Sequence, residues 1–267
     1  MALCLVTRLK ASVNNPDLPI LGGMMCEIAP AVNSDGTVTL SLGATSPGQL
    51  EVELLNSTFE DGTTKKTLQA IAEYHKCSKP DSGILQVIIN NKQYLRRIIE
   101  LYAMPYGVQE LNGLPLVELT LNKNTQGLDL SKLEVGGLSL VENLTMYSGA
   151  PKFKGTMDNL VAALNPNKLK TLFFLTNALP SFDISIFGRF VNLTTLNITG
   201  AAATGTVENF VSIQRSSGRE TCAGIAIGSQ LGNQVTFNGA VLNVGTGAKT
   251  LSWTSTTITI NDVTINA

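Results

Sequence analysis

The sequence has few of the side chains on which catalytic and metal centres depend. Its 267 residues include one histidine and four cysteines, and no Cys-x-x-Cys pair occurs. The histidine, His75, lies two residues before Cys77, and this pair lacks the third and fourth ligands that a zinc site needs. The signatures of serine hydrolases, zinc proteases, P-loops and dinucleotide-binding turns are also missing. We therefore expect no metal site, no cofactor and no enzymatic activity.

Carboxylates give no clear acid/base pair either. Glu51, Glu53, Glu60 and Asp61 lie close together in the sequence, on a predicted strand and the turn after it. We expect them to form a solvated face. A glycan-cleaving enzyme would instead need two carboxylates in a cleft, and replacing Glu51 or Glu53 would then abolish its activity.

Charge is sparse and balanced, and long apolar runs are absent. Charged residues make up 15% of the chain and the formal net charge is −1, which gives no electrostatic footprint for nucleic acid. The N-terminal apolar run is interrupted at Arg8, and no segment reaches about 18 apolar residues, so we predict neither an export signal nor membrane insertion. We expect the four cysteines to be free thiols: Cys4, Cys26, Cys77 and Cys222.

What the sequence does contain is a short apolar pattern that recurs from Leu116 to Ile227. Successive copies begin 25, 28, 24 and 29 residues apart, close to the period of about 20–29 residues in a leucine-rich repeat, which the pattern resembles. In two copies the pattern extends to the asparagine that is characteristic of that repeat, at Asn124 and Asn177. The five copies are Leu116-x-x-Leu119-x-Leu121, Val141-x-x-Leu144-x-Met146, Leu169-x-x-Leu172-x-Phe174, Leu193-x-x-Leu196-x-Ile198 and Cys222-x-x-Ile225-x-Ile227.

Two connectors between these copies carry helix-start signals. Thr156 and Thr206 each follow a glycine and are candidate N-cap residues, and Asp158 and Glu208 place negative charge in the first turn. Each unit is therefore predicted to be a strand, a turn, a short helix and a return. The predicted fold class is α+β: a β-rich N-terminal module, a leucine-rich-repeat-like solenoid of parallel strands and short helices, and a C-terminal β-hairpin cap.

These patterns predict three domains. Residues 1–90 form a β-rich module for docking or assembly, because Thr37–Leu42 and Leu50–Leu54 alternate with the period of half-buried antiparallel strands. Residues 91–228 form the solenoid. Residues 229–267 form the cap, in which Asn238-Gly239 predicts a hairpin turn and Trp253 is the large anchor.

Three segments allow two interpretations each. Residues 91–105 fit an amphipathic helix, which we favour, although Leu95-x-x-Ile98 is also consistent with an irregular capping repeat. Residues 5–19 form either an arm that docks on a neighbouring subunit or an edge strand of their own module. The C-terminal tail either covers the last repeat or presents an open edge to a partner strand.

The repeat predicts one exposed face, because its leucines point into the core and the residues between them point outward. In the middle, Tyr147, Phe173 and Leu175 form an apolar patch within a Thr/Asn surface. Such a patch indicates a contact with a ligand, or else it is covered by the C-terminal module or a neighbouring subunit. The predicted rows are Glu118, Asn143, Thr171, Thr195 and Gly224; Thr120, Thr145, Phe173, Asn197 and Ala226; and Asn122, Tyr147, Leu175, Thr199 and Gly228.

The last half of the chain resembles a group of virion proteins. The resemblance is carried by Asn192-Leu-Thr-Thr-Leu-Asn-Ile-Thr-Gly200, by the Gly205-Thr-Val-Glu-Asn-Phe connector, and by Gln234-Val-Thr-Phe-Asn-Gly with Lys249-Thr-Leu-Ser-Trp253. These segments are similar to leucine-rich proteins of gut Bacteroidetes and, more closely, to fibre and decoration proteins of their crAss-like tailed phages. Several copies lack the Asn-type turn of that family, so we expect its horseshoe to be shortened or distorted here.

The resemblance implies a non-enzymatic structural or adhesion component of a phage virion: a tail fibre, a head fibre or a fibre adaptor. It would be assembled in the host cytoplasm, with the N-terminal module docked to the particle. The implied partners are other virion proteins and further copies of the chain, with a host-surface glycan or protein as an additional candidate. The alternative is a bacterial leucine-rich-repeat interaction or adhesin-like protein, for which a processed, membrane-attached form would be diagnostic.

Overall fold

One mixed β-sheet of 15 strands dominates the computed structural model. The structure describes residues 23–122, 125, 128–146, 154–174, 182–197, 203–227, 234–237, 240–243 and 249–266. Antiparallel strands lie at both ends of the sheet, and a run of parallel strands lies between them. One core cluster contains buried apolar side chains from all three parts.

The N-terminal strands pair antiparallel, and the alternation predicted for this region is confirmed. They are β1 (Gly23–Ile28), β2 (Val38–Ala44), β3 (Glu51–Leu54), β4 (Lys65–Thr67), β5 (Glu73–Cys77) and β6 (Leu85–Asn90). Val52 and Leu54 are buried, whereas Glu51 and Glu53 between them are partly exposed. One branch of the sheet runs β1-β6-β3-β4, and β5 pairs with β2 in the other.

Strand β7 (Leu95–Ala103) joins this region to the rest of the sheet. It pairs antiparallel with β1 and β2 and parallel with the next strand. The predicted helix over 91–105 is therefore wrong. Register shifts interrupt the strand's alternation, and Glu100 has a φ of 61°, so Leu95, Ile98 and Leu101 all face the core. A strand with such bulges yields the three-residue spacing of a helix.

Five strands follow that run parallel to β7 and to one another. They are β8 (Glu118–Leu121), β9 (Asn143–Met146), β10 (Thr171–Phe174), β12 (Thr195–Asn197) and β14 (Cys222–Ile227). The described apolar residues of the repeated pattern are buried, as the pattern predicts. Leu119, Leu144, Leu172 and Leu196 stand side by side in the register.

The connections in this part of the chain contain 3-10 turns, two short α-helices and two short strand segments. Two short segments, β11 (Phe182–Asp183) and β13 (Ala203–Thr204), form a separate parallel pair. The described helices are η1 (Lys92–Tyr94), η2 (Val108–Leu111), η3 (Leu130–Lys132), η4 (Ile184–Arg189), α1 (Met157–Ala163) and α2 (Val207–Ser216), of which the four η elements are 3-10 turns.

The two helix starts that the sequence predicts are confirmed. Thr156 accepts a hydrogen bond from the amide of Asn159 and completes a capping box, and Thr206 accepts one from the amide of Asn209 at 3.2 Å. Gly205, before the second cap, has a φ of 87°, and an added Cβ would lie 2.1 Å from Asp183 Oδ1. That position therefore requires glycine.

The predicted α+β fold class, with a leucine-rich-repeat-like solenoid, is wrong. Strands account for 42% of the structure and helices for 17%, and one large mixed sheet replaces a solenoid of strands and short helices. The apolar pattern located individual strands correctly. It carried no information on what joins them: in the described residues, the connections after β8 and β10 contain 3-10 helices, and those after β9 and β12 contain α-helices. The sheet also continues through the expected boundaries near residues 90 and 228.

The C-terminal strands form a separate two-stranded hairpin and then complete the large sheet. The two strands of the predicted hairpin are confirmed: β15 (Gln234–Phe237) pairs antiparallel with β16 (Ala240–Asn243). Its predicted turn, Asn238-Gly239, lies outside the described residues. Strand β17 (Lys249–Trp253) pairs antiparallel with β14, followed by β18 (Thr257–Ile260) and β19 (Val263–Asn266). Trp253 is 2% exposed and packs edge-on against Phe210.

Candidate binding face of the parallel strands

Two rows of the predicted face are aligned by the strand register. Reading across β8, β9, β10 and β12, the first row is Glu118, Asn143, Thr171 and Thr195, and the second is Thr120, Thr145, Phe173 and Asn197. We call these eight residues the binding face. Thr120 is buried and the other seven are partly exposed. Tyr147, Leu175 and Thr199, which we also predicted to bind, lie outside the described residues.

Asn122, the first residue of the third predicted row, is buried rather than exposed. Asn122 is 7% exposed, and its side-chain amide donates to the Ala29 carbonyl oxygen at 2.8 Å and to the Glu100 carboxylate. It therefore ties β8 to the N-terminal strands rather than presenting a group to a ligand. The pattern could not show this, because both acceptors come from distant segments.

The fifth strand is displaced by two residues from its predicted position. Ala226 stands beside Thr195 and Ile227 beside Leu196, so Gly224 is not the neighbour of Thr195. A shift of two residues keeps every side chain on its own face of a sheet. The apolar pattern therefore cannot distinguish the two registers.

A buried arginine closes the first row at its β7 end. Arg97 is 9% exposed, and its Nε lies 2.7 Å from Glu118 Oε2. Its guanidinium also lies over the Tyr74 ring, 5.1 Å from the centroid, and donates to the Tyr74 hydroxyl. Neither residue was predicted for this site, because residues 91–105 fit a helix and Tyr74 comes from the distant strand β5. A strand beginning near Leu95 would have placed Arg97 beside Glu118.

A second ion pair borders the face where the strands begin. Lys170 Nζ lies 2.7 Å from Glu142 Oε2. This hydrogen bond lowers the pKa of the Glu142 carboxyl below its ordinary value, with smaller contributions from the charges of Lys170, Lys168 and Arg96. Both carboxylates on this side of the face are therefore paired with a basic side chain, Glu118 with Arg97 and Glu142 with Lys170.

The middle of the binding face is uncharged. Asn143, Thr145, Thr171, Thr195 and Asn197 surround the partly exposed ring of Phe173. Amides and hydroxyls each donate and accept hydrogen bonds, and an aromatic ring offers an apolar surface. Such a surface has the chemistry to accommodate uncharged polar groups. Among the eight residues of this face the one carboxylate, Glu118, is paired with Arg97.

No family model, curated protein or solved structure matches this chain. The binding face must therefore be interpreted from its own geometry. Within the described ranges, no helix combines the length and apolar character required to span a membrane.

The other residues considered for chemistry have local partners. His75 Nε2 lies 3.0 Å from Glu73 Oε2 and its ring packs edge-on against Phe59. The Glu73 carboxylate also accepts hydrogen bonds from the amides of Gln69 and Ala70, so it holds a turn in place. In the described part of the chain no three metal-ligating side chains cluster.

The carboxylates of β3 form no opposed pair in a cleft. Glu53 lies 3.1 Å from Lys65 Nζ, and Glu51 accepts a hydrogen bond from Asn90 at 2.9 Å. Both belong to the outer side of an edge hairpin with partly exposed side chains. Of the four cysteines, Cys26, Cys77 and Cys222 are free and buried, and Cys4 lies outside the described residues.

Proposed function

We propose that this chain is a non-enzymatic structural or adhesion component of a phage virion, a fibre or fibre adaptor, that acts through contacts made by its binding face. The virion assignment rests on the sequence resemblance. The contact function is supported by one observation of the structure: uncharged hydrogen-bonding side chains stand in register around Phe173. The proposed partners are other virion proteins, further copies of the chain and a host-surface glycan or protein, on a virion assembled in the host cytoplasm.

The regular spacing of this surface favours a repetitive or extended partner. Adjacent strands of a sheet lie about 4.8 Å apart, so each row repeats a polar group at that interval. Asn143, Thr171 and Thr195 provide three such groups in succession. A glycan chain or an extended protein segment can contact several of them at once, whereas a small ligand would contact few.

Two measurements test this proposal. First, antibodies against the chain should label purified phage particles in electron microscopy. Labelling confined to bacterial envelopes, with a processed membrane-attached form, would overturn the virion assignment in favour of a bacterial interaction protein.

Second, fluorescently labelled chain is titrated onto host cells and onto purified particles that lack it. We expect Thr171→Arg to weaken binding by at least tenfold, or about 1.4 kcal/mol, because the long charged side chain covers the uncharged surface beside Phe173. Thr67→Arg is the matched control, since Thr67 is exposed on β4, far along the sheet from this face. Equal binding by both variants would show that the face is not the contact surface.

A further inference from the structure

The ends of the large sheet differ in charge. Strand β4, at one end, carries Lys65 and Lys66, and β5, which ends the second branch, carries Glu73 and Lys76. Charged side chains of this kind discourage an edge strand from pairing with another chain. Strand β19, at the opposite end, reads Val-Thr-Ile-Asn and has no charged residue and no proline. Within the described part of the chain, no strand pairs with its outer edge.

The backbone of β19 presents hydrogen-bonding groups at this edge. Strands β18 and β19 are joined through Asn261 and Asp262 only, with Ile260 opposite Val263. In a hairpin with a two-residue turn, the closing pair exchanges both of its backbone hydrogen bonds, and pairing alternates from there. Val263 and Ile265 therefore point their backbone groups toward β18. Thr264 and Asn266 point their backbone N–H and C=O groups away from β18, toward the open edge.

The core is also less well covered along this strand. Ile258 and Ile260 of β18 are each 1% exposed. Their partners on β19, Ile265 and Val263, pack on the same core cluster but are only partly buried. One further strand beside β19 would cover both side chains.

We propose that β19 pairs antiparallel with β19 of a second copy of this chain, across a two-fold axis at Thr264. This register places Thr264 opposite Thr264 of the partner subunit and Val263 opposite Ile265 of the partner subunit. Apolar residues then meet apolar residues on the core face, and threonines meet on the other face, where Thr264 already contacts Thr259 at 2.9 Å.

The proposed register is self-complementary, which favours a second copy of the chain as the occupant of this edge. In the proposed register the one nearby charge, Asp262, stands opposite Asn266 of the partner subunit, so no like charges face each other. A pairing between two β4 strands would bring lysines together instead. The two-fold contact is closed, so it gives a dimer rather than a filament. It involves none of the binding-face residues.

The first test is the solution mass of the intact chain by light scattering. We expect twice the 28.4 kDa of one chain. Thr264→Lys and Thr264→Glu should each be monomeric because like charges meet at the axis, and an equimolar mixture of the two at low salt should recover the dimer. Thr259→Lys is the matched control, on the same face but one strand further in, and it should remain dimeric.

The second test is a cross-link in a Cys4→Ser background, in which the other three thiols are buried. Directly opposed residues of a hydrogen-bonded antiparallel pair have Cα atoms about 5.5 Å apart, within the range of a disulfide. Thr264→Cys should therefore form a disulfide-linked dimer on oxidation, and Thr256→Cys, in the exposed turn before β18, should not.

Several results would overturn this proposal. One is a wild-type chain that remains monomeric at its highest soluble concentration; slow amide exchange at Thr264 in that monomer would show that the edge is covered within the chain. Another is a dimer whose mass is unchanged by Thr264→Lys. Thr171→Arg, which alters only the binding face, should leave the Thr264→Cys disulfide cross-link intact, so failure of the β19 pairing and failure of the binding face can be told apart.

Discussion

Buried polar side chains connect segments that are far apart in the sequence. Gln214 of α2 is completely buried, and its side-chain amide donates to the carbonyl oxygens of Gly188 and Phe190. Arg219, just after the same helix, donates to the Leu193 carbonyl oxygen at 2.8 Å and stacks on Trp253. These bonds satisfy backbone groups of the η4 turn and the loop after it, which have no strand partner.

We therefore predict that Gln214→Leu destabilises the chain by about 2–3 kcal/mol while keeping the volume of the side chain, because the Gly188 carbonyl loses its donor and the Phe190 carbonyl keeps only the Leu193 amide. Urea unfolding followed by Trp253 fluorescence measures the change. Gln69→Leu is the control, since Gln69 is exposed, and it should stay within about 0.5 kcal/mol of wild type. An equal effect of both substitutions would show that the carbonyl contacts of Gln214 contribute nothing.

At the scale of elements, the two α-helices among the described residues begin at threonine caps. Both helices are short, with 7 residues in α1 and 10 in α2, so propensity alone would not stabilise them in isolation. Each is held by a cap at one end and by an apolar side that packs on the core. In α1 that side includes Met157, Leu160 and Val161.

Thr156→Ala and Thr206→Ala should each lower the free energy of unfolding by about 1 kcal/mol, because each leaves an amide in the first turn without its acceptor. Serine at the same two positions should instead retain most of the free energy of unfolding. The control is Thr256→Ala in the turn before β18, where the exposed side chain caps no helix, and its urea midpoint should not move. If the cap variants behave like this control, the helix starts are fixed by packing alone.

At the scale of the whole molecule, one apolar core runs from the N-terminal strands to β18. Cys26 lies in this core near the start of the described chain, and Trp253 lies in it near the end. Burial raises the pKa of the Cys26 thiol to about 12 and that of Cys77 to about 11. Neither thiol is ionised at neutral pH in the folded chain, so both should resist alkylation until the core opens.

We expect a single unfolding transition as a result. Pulse alkylation of Cys26 and Cys77, resolved by mass spectrometry across a urea series, should follow the same curve as Trp253 fluorescence. Residues 1–90 would be an independent domain if the cysteines became reactive at a urea concentration where the fluorescence was still native. Cys222, on β14, provides an internal reference close to Trp253 in the sheet.

The sequence by itself determined the features that depend on near neighbours along the chain. Alternation gave β2 and β3, the apolar pattern gave the positions of the parallel strands and their inward side chains, and the Gly-Thr connectors gave both helix starts. It also aligned the eight described residues of the binding face across four strands. These features follow from the two-residue period of a strand and from local capping bonds.

Only the tertiary structure decided how these pieces combine. Leu95, Ile98 and Leu101 have the spacing of a helix, and pairing with three other strands made β7 a strand instead. Contacts with remote segments also set the register of Ala226, the partners of Asn122 and the pairing of Arg97 with Glu118. A strand is stabilised by hydrogen bonds to segments that are remote in the sequence. Local periodicity therefore located the strands, while the mixed sheet was fixed only by their mutual pairing.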